Sequence, residues 1–330
     1  MERRQFLMTS LAGVIGAPIG GGAQAADRVR RVGILWGIRP GPEWTAGGPF
    51  FGPMRELGWV EGQNIVFEQR HANEQPERLP MLARELIAAK VDVIVTAPSS
   101  ATRAAMEATA TIPIVFAEVG KPVRRGFVPS LARPGGNVTG LADISLELIP
   151  KRLELLKELL PGATRAALLV EPGFYPPDVD QETIEDSKRA SRVLGLRLDT
   201  PEIRPPYDFD AAFAHISQSR ADGLTFIPTP IFFTQRARIA DLAIKHRLPF
   251  IAELPHQGEA GALLVYNSNW HQMYRQVAMY VDRILKGAKP ADLPVQDPTT
   301  FDLIINLKTA KALGLTIPPS LLARADRVIE

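Results

Sequence analysis

Short runs of aliphatic and β-branched residues alternate with helix-like patterns from Arg31 onward. This alternation predicts βαβ units, and therefore parallel sheets flanked by helices. Helices are predicted between the strands and after them; one example is the segment His271–Lys286, whose apolar residues have helical spacing. The predicted strands fall in two series: 32–36, 64–69, 91–96, 113–117 and 138–141, then 166–170, 196–199, 223–227, 248–252 and 262–266.

The two series of strands resemble copies of one unit. VDVIVTAP at residues 91–98 matches ADGLTFIP at 221–228, and IPIVFAE at 112–118 matches LPFIAE at 248–253. Because the matches occur in the same order, we predict two similarly built α/β lobes. Ligands of open parallel sheets bind beyond the carboxyl ends of the strands, so we expect a site between the lobes at those ends.

The first residues predict an export signal. Arg3 and Arg4 precede an apolar run over residues 6–19, and Ala23-Gln24-Ala25 is an A-x-A cleavage pattern. The paired arginines resemble a twin-arginine signal, and a frayed N-terminal helix is the alternative. We therefore expect a periplasmic protein, cleaved near Ala25, with no transmembrane segment.

Composition narrows the classes of function. The chain has 38 Lys and Arg against 36 Asp and Glu, which argues against an electrostatic nucleic-acid binder. It has no cysteine, so disulfides, thiolate metal sites and a cysteine nucleophile are excluded. The five histidines lack metal-ligand spacing, and no catalytic motif is evident. We predict no catalytic residue, metal or cofactor, and an enzyme on a two-lobed scaffold is the minor alternative.

The loop at residues 96–101 follows a predicted buried strand and begins a predicted helix. Thr96, Ser99 and Ser100 are candidates for holding a ligand carboxylate, with the free N–H groups of the helix start. The alternative role for a serine at this position is helix capping.

A second loop begins with Gly120 and Lys121 and continues to Arg124 and Arg125. Its cations would pair with an anionic solute, or they form a solvated surface run. Glu118 and Glu253 end equivalent strands of the two lobes. These carboxylates would bind an α-amino group, or they serve in helix capping or a salt bridge.

Aromatic residues occupy the corresponding places of the second lobe. Phe174-Tyr175 and Phe232-Phe233 belong to the core or to a lid that stacks on a ligand. Trp36, at the end of the first predicted strand, and Thr229, two residues after the strand 223–227, complete the predicted ligand contacts.

Four stretches resemble the ABC-importer substrate-binding family that includes tryptophan- and phenylalanine-binding members. They are RELGWVEGQN at 55–64, IPIVFA at 112–117, LARPGGNVTG at 131–140 and the C-terminal region 280–330. The resemblance implies a type-I-like periplasmic-binding-protein fold, whose two α/β lobes are joined by a multi-strand hinge and close on a solute. It also implies that the loops at 96–101 and 119–122 line the cleft. The family commonly has Asp-Pro where this chain has Lys121-Pro122.

These observations predict a monomeric solute-binding protein that delivers a small, carboxylate-bearing, amino-acid-like solute to an ABC permease and its ATPase. Presentation of the ligand to a sensor kinase is the alternative role. The expected lobes are residues 29–145 with 267–290, and residues 146–266 with 300–330. The expected hinge segments are 141–145, 267–270 and 297–302.

Overall fold

The structure is a computed structural model that describes residues 28–38 and 48–330. The predicted export signal at residues 1–25 lies outside the described residues. Within the described ranges, no helix has the length and apolar character needed to cross a membrane.

The elements alternate along most of the chain, as predicted. In chain order they begin with β1 (Arg30–Trp36), α1 (Phe51–Glu56), β2 (Ile65–His71), α2 (Leu79–Ala88), β3 (Val93–Ala97), α3 (Ser99–Ala108), β4 (Ile114–Gly120) and β5 (Val138–Asp143). They continue with α4 (Ile149–Leu159), β6 (Arg165–Leu169), α5 (Pro177–Val193), β7 (Arg197–Asp199), α6 (Phe209–Gln218), β8 (Leu224–Phe226), α7 (Pro230–Thr234), α8 (Arg236–Lys245) and β9 (Ile251–Ala252). The last are α9 (Pro255–Ala260), β10 (Leu264–Ser268), α10 (Trp270–Leu285), β11 (Phe301–Asn306), α11 (Leu307–Leu313), α12 (Pro319–Leu322) and β12 (Arg327–Ile329).

The first sheet is parallel, with strand order β2-β1-β3-β4-β5. Helices cover both of its faces, so its central strands are buried and almost wholly apolar. Helix α10 packs one apolar face on β1 and β3, although it is far away in sequence. Strands β4 and β5 approach closely at Gly140, where a Cβ atom would lie 2.1 Å from the carbonyl oxygen of Phe116.

The second lobe repeats the strand order of the first. Strands β7, β6 and β8 form one sheet, and a parallel bridge between Leu224 and Phe250 continues it to β9 and β10. The order β7-β6-β8-β9-β10 therefore corresponds to β2-β1-β3-β4-β5. Strand β11 then pairs antiparallel with β10, and β12 pairs parallel with β11. The predicted fold, two α/β lobes with parallel sheets flanked by helices, is confirmed.

One predicted strand boundary is wrong in a way that concerns the site. We expected Glu118 to follow the end of its strand, but β4 continues to Gly120 past an irregularity between Phe116 and Val119. Glu118 lies in this bulge with φ of 58°, a left-handed value that is uncommon for a residue with a side chain. A bulge changes the direction of a side chain, and here it displaces Glu118 from the regular alternation of β4.

Three chain segments between the lobes lie side by side. The first lies at the end of β5, the second follows β10, and the third leads into β11. The backbone N–H of Asn269 donates to the carbonyl oxygen of Thr300 at 2.8 Å, and its side-chain amide donates to Asp302 Oδ1 at 2.8 Å. Leu141 pairs with Gln296 in an isolated bridge. Each hinge segment predicted from the sequence contributes a residue to these contacts: Leu141 for the first, Asn269 for the second, and Thr300 and Asp302 for the third.

Candidate functional site

A recess lies where β1 and β3 end, at the position where the strand order of the first sheet reverses. Loops after two such strands turn to opposite faces of the sheet and leave a crevice between them. Helix α10 closes one side of this crevice, because its first two turns pack beside the strand ends. The recess is lined by Trp36, Ala97, Pro98, Glu118, Trp270 and Tyr274.

The carboxylate of Glu118 is held by two donors from α10. Its Oε1 accepts hydrogen bonds from Trp270 Nε1 at 2.7 Å and from the Tyr274 hydroxyl at 2.6 Å. Burial raises the pKa of Glu118, and the hydrogen bonds from Tyr274 and Trp270 oppose that rise. These two donors also fix the direction of the carboxylate, which an uncommon backbone conformation already turns toward α10.

Aromatic rings surround this carboxylate. The ring of Tyr274 meets Trp36 edge-on at 5.8 Å between centroids and meets Trp270 edge-on at 5.5 Å. His256, from α9 of the second lobe, lies 6.3 Å from the ring of Trp270. The recess therefore has aromatic walls, and the second lobe contacts its edge.

A buried arginine lies on the second lobe's side of the cleft. Arg152 of α4 is fully buried, and it donates to the carbonyl oxygens of Tyr266 at 3.0 Å and Ser145 at 3.2 Å. Its Nη2 lies 3.9 Å from Glu253 Oε2 and has no hydrogen-bond partner among the described residues. The guanidinium thus connects the segment after β5 and strand β10 with the carboxylate that follows β9.

The carboxylates of the two lobes lie close enough to influence each other. Burial raises the pKa of Glu253 to about 8; Arg152 opposes this rise, and the charges of Asp143 and Glu118 reinforce it. Asp143 accepts hydrogen bonds from the backbone and hydroxyl of Ser145, and burial raises its pKa as well. We refer to Glu118, Asp143, Arg152 and Glu253 as the inner cluster.

The serine loop differs from the capping alternative. Pro98 occupies the N-cap position of α3, so neither serine caps the helix with its side chain. Ser99 Oγ instead accepts a hydrogen bond from Arg125 at 2.9 Å, and Ser100 is exposed. Thr96 is buried behind the loop, where its hydroxyl lies 2.8 Å from that of Thr102. Capping is therefore the wrong interpretation.

The cationic loop after β4 contacts the second lobe. Lys121 Nζ lies 3.1 Å from Glu182 and 3.7 Å from Glu147, and its side chain is only 15% exposed. Arg124 pairs with Glu182 and Asp178 of α5. A solvated surface run is therefore the wrong interpretation of this loop. We call the contacts of Lys121 and Arg124 with Asp178 and Glu182 the rim pairs. Gly120, the residue before Lys121, ends β4 and pairs with Asp143 of β5.

The predicted aromatic contacts of the second lobe divide into core and cleft. Phe232 is fully buried and stacks on Phe226, so it belongs to the core. Tyr175 donates its hydroxyl hydrogen bond to the carbonyl oxygen of Pro228 at 2.7 Å, and Phe174 is 47% exposed. Thr229 is buried at the start of α7, where its hydroxyl has no hydrogen-bond partner in the described part of the chain.

Sequence reasoning missed Asp143, Arg152, Trp270 and Tyr274. One signal was available for Arg152: Ile149, Leu153 and Leu156 form the apolar face of α4, and position 152 falls on that face. A charged residue among apolar positions of a helix indicates a buried, partnered charge. Trp270 and Tyr274 look like ordinary core residues in the sequence. Only their hydrogen bonds to Glu118, which lies more than 150 residues earlier, distinguish them.

Together, these groups can bind a small polar solute by charge and hydrogen bonds from both lobes. Among the described residues, no group of three or more histidine or acidic side chains is arranged to hold a metal ion. The chemistry of these groups is that of recognition: a carboxylate with two fixed donors, aromatic walls, and a buried guanidinium.

Comparison with known proteins agrees with this architecture. A "Tyrosine-binding protein" of Clostridioides difficile is 25% identical over 269 residues, which cover 81% of this chain and 75% of that relative. A solved "conserved domain protein" of Vibrio cholerae superposes with a TM-score of 0.80 at 28% identity, covering 91% of this chain and all of that one.

A further solved structure is described as an ABC domain in complex with L-Trp from Streptococcus pneumonia. It has a TM-score of 0.80 at 23% identity, over 91% of this chain and 99% of that one, and it supports the fold. The sequence profile that matches residues 46–329 is that of the family described as ABC transporter substrate binding protein. The chain therefore belongs to the ABC transporter substrate binding protein family.

Proposed function

We propose that this protein is the exported solute-binding component of an ABC importer. It captures a small amino-acid-like solute between its two lobes and delivers it to a membrane permease driven by an ATPase. The observation that carries this proposal is the inner cluster. Charged groups from two separate sheets meet at the strand ends, where binding proteins of parallel α/β lobes hold their ligands.

Closure of the cleft is a hinge motion. The proposed lobes are residues 29–145 with 267–290, and residues 146–266 with 300–330; the packing of α10 on the first sheet supports this division. The proposed hinge consists of the three adjacent segments, where a few backbone rotations can move one lobe against the other. Arg152 ties one of these segments, and the strand β10 that leads into another, to the second lobe through its hydrogen bonds to Ser145 and Tyr266.

The proposed ligand contacts combine predicted residues with residues that the geometry adds. Glu118 and the aromatic walls form one end of the site, and the buried guanidinium forms the other. From the sequence we retain Trp36, Glu118, Tyr175, Thr229 and Glu253; to these we add Asp143, Arg152, Trp270 and Tyr274. The names of two similar proteins, a tyrosine-binding protein and a complex with L-Trp, favour an aromatic amino acid as the first solute to test.

The signal-like first 25 residues support export to the periplasm, where the protein would act as a monomer on a permease. In this role it binds and releases the solute unchanged, with no chemical turnover. Membership of a substrate-binding family supports that role.

A thermal-shift screen of the purified protein tests the proposal. A ligand that binds the native state alone raises the melting temperature by mass action, so amino acids are expected to raise it more than sugars or dicarboxylates do. Chromatography of the released solute should recover it unchanged. Chemical conversion of the solute, or a selective response to sugars alone, would contradict the proposed role or solute class respectively.

A further inference from the structure

The inner cluster holds more negative than positive charge. Burial raises the pKa of Glu118, and the charge of Asp143 raises it further. Burial also raises the pKa of Glu253. Among the described residues, Arg152 is the only charged group that opposes this rise. The carboxylates of Asp143 and Glu253 therefore share the guanidinium of Arg152, and Glu118 adds a third negative charge to a largely buried cluster.

Such an arrangement favours a cationic occupant. Buried carboxylates that lie close together either take up protons or require a positive group, because their mutual repulsion and lost solvation are otherwise uncompensated. An anionic solute would add a further negative charge to Glu118, Asp143 and Glu253. An ammonium group would supply the missing positive charge and donate hydrogen bonds to the carboxylates.

The aromatic walls of the recess favour the same occupant. Trp36, Trp270 and Tyr274 surround the position of Glu118. Aromatic faces attract ammonium groups through their quadrupole, and this attraction strengthens where water is displaced. The same rings offer apolar surface to the body of an aromatic or aliphatic solute.

The guanidinium of Arg152 gives an independent sign of a ligand. Its side chain is fully buried, yet its Nη2 has no hydrogen-bond partner within the described ranges and lies 3.9 Å from Glu253 Oε2. A buried donor without an acceptor is costly, so native proteins rarely keep one that nothing satisfies. A carboxylate or carbonyl oxygen of a solute is the acceptor that this nitrogen lacks.

We propose that the solute is recognised primarily by its ammonium group, which lies among Glu118, Asp143 and Glu253, while Arg152 Nη2 receives an acceptor group of the same molecule. The ammonium group is required, and the carboxylate adds affinity without being essential. This inference rests on the proposed function and names the chemical group that its site selects. Of the two sequence-based expectations, it favours the α-amino group bound by Glu118 and Glu253 over the carboxylate held by Ser99 and Ser100.

Matched ligands separate the two groups of the solute. Calorimetric titration would compare L-tryptophan with tryptamine, which lacks the carboxylate, and with indole-3-propionate, which lacks the ammonium group. The corresponding set for tyrosine is L-tyrosine, tyramine and 4-hydroxyphenylpropionate. For the tighter-binding set, the deaminated acid is expected to bind at least about 100-fold more weakly than the amino acid, because it leaves buried charges unpaired. The amine is expected to lose about tenfold.

Charge-neutral variants connect this selectivity to the cluster. Glu118→Gln should weaken binding of the amino acid by about 30-fold or more and reduce its advantage over the deaminated acid. Glu85→Gln is the matched control, because that carboxylate pairs with Arg70 elsewhere on the same lobe and should leave binding unchanged. Glu253→Gln provides a second test if Glu118→Gln melts too early to be titrated.

The outcomes distinguish this inference from the function on which it rests. Equal binding of the deaminated acid and the amino acid would overturn the inference and leave the binding function intact. Unchanged selectivity in folded Glu118→Gln and Glu253→Gln variants would also overturn it. If the thermal-shift screen shows selective binding of sugars and none of these probes binds, both the amino-acid solute class and this inference fail.

Discussion

The inner cluster and the rim pairs both bring charged groups of the two lobes together, but their environments differ, although the rim residue Lys121 is itself only 15% exposed. Arg152 is fully buried, and the side chain of Glu253 is 11% exposed. At the rim, the side chain of Arg124 is 44% exposed and that of its partner Asp178 is 65% exposed. The inner cluster also has three acidic members to one basic member, whereas the rim pairs match two cations with two carboxylates.

This difference assigns the two sets different tasks. In the inner cluster, Arg152 and Glu253 are buried and Glu118 and Asp143 are partly buried, so a charge there needs compensation by a protein group, a proton or a ligand. At the rim, solvent and salt screen the attraction, and exposed ion pairs contribute little to stability. We therefore expect the inner cluster to select the solute, while the rim pairs adjust how readily the cleft stays closed.

Removing the central guanidinium should have the largest effect. Arg152→Met leaves Glu253 without its cation and the carbonyl oxygens of Ser145 and Tyr266 without their donor. Breaking a buried pair on one side costs about 3–5 kcal/mol of unfolding free energy. Arg124→Met at the rim should cost less than about 1 kcal/mol. Denaturant unfolding of the two variants measures both values, and equal losses would contradict the contrast.

The two sets should also respond to pH with opposite signs. Burial raises the pKa of Glu253 to about 8, above its ordinary value of 4.5, so the native state keeps a proton that the unfolded chain releases. The free energy of unfolding should therefore fall as pH rises between about 5 and 8, by roughly 2–4 kcal/mol. Asp143 and Glu118 face Glu253 and have raised pKa values, so they act in the same direction, whereas Arg152 opposes the rise.

At the rim, the hydrogen bond from Lys121 lowers the pKa of Glu182. Ionised Glu182 therefore stabilises the folded state at pH values above its ordinary pKa. This stabilisation is lost as the pH falls through the lowered pKa. Unfolding measured at about pH 5.5, 7 and 8.5 for the parent and Glu253→Gln isolates the inner cluster, because this range lies above the lowered pKa of Glu182. The variant should lose much of the slope above about pH 5.5, and an unchanged slope would show that Glu253 does not carry it.

The sequence predicted the parts of this picture that local patterns determine. Apolar runs such as residues 91–96 and the helical spacing of 271–286 follow from burial on one or two faces, and both elements are present. The internal repeat predicted two similarly built lobes, and the structure shows that they share one strand order. Glu118 and Trp36 were predicted because they lie close to strand ends.

The pairings within the site depend on contacts between distant segments. Lys121 meets Glu182, which lies 61 residues later in the other lobe, and no local pattern indicates that partner. Glu118 meets α10 because this helix packs back onto the first sheet. The capping alternative for Ser99 fails for a local reason, because Pro98 takes the N-cap position.

Removing a donor to Glu118 should have an intermediate effect. Trp270→Phe keeps an aromatic ring but deletes the Nε1–H donor to Glu118, and hydrogen bonds to charged groups contribute about 1.5–3 kcal/mol. Affinity for L-tryptophan should therefore fall roughly tenfold, as titration calorimetry would show. Tyr280→Phe is the control, because its hydroxyl donates to Pro294 instead of the inner cluster. A similar loss of affinity in both variants would indicate a general effect on α10.

Weakening the rim should have the smallest effect, and salt should abolish it. The double variant Lys121→Ala and Arg124→Ala removes the rim cations, so closure on a ligand loses attractions that water already screens. At low ionic strength, affinity for L-tryptophan should fall about two- to fivefold, through faster dissociation. In about 0.5 M salt the parent and the variant should converge, because the screening length becomes shorter than the spacing of exposed charges. Stopped-flow dissociation at both salt concentrations measures the difference. A loss that persists in high salt would place the rim cations in the ligand site itself, and would remove the distinction between the rim pairs and the inner cluster.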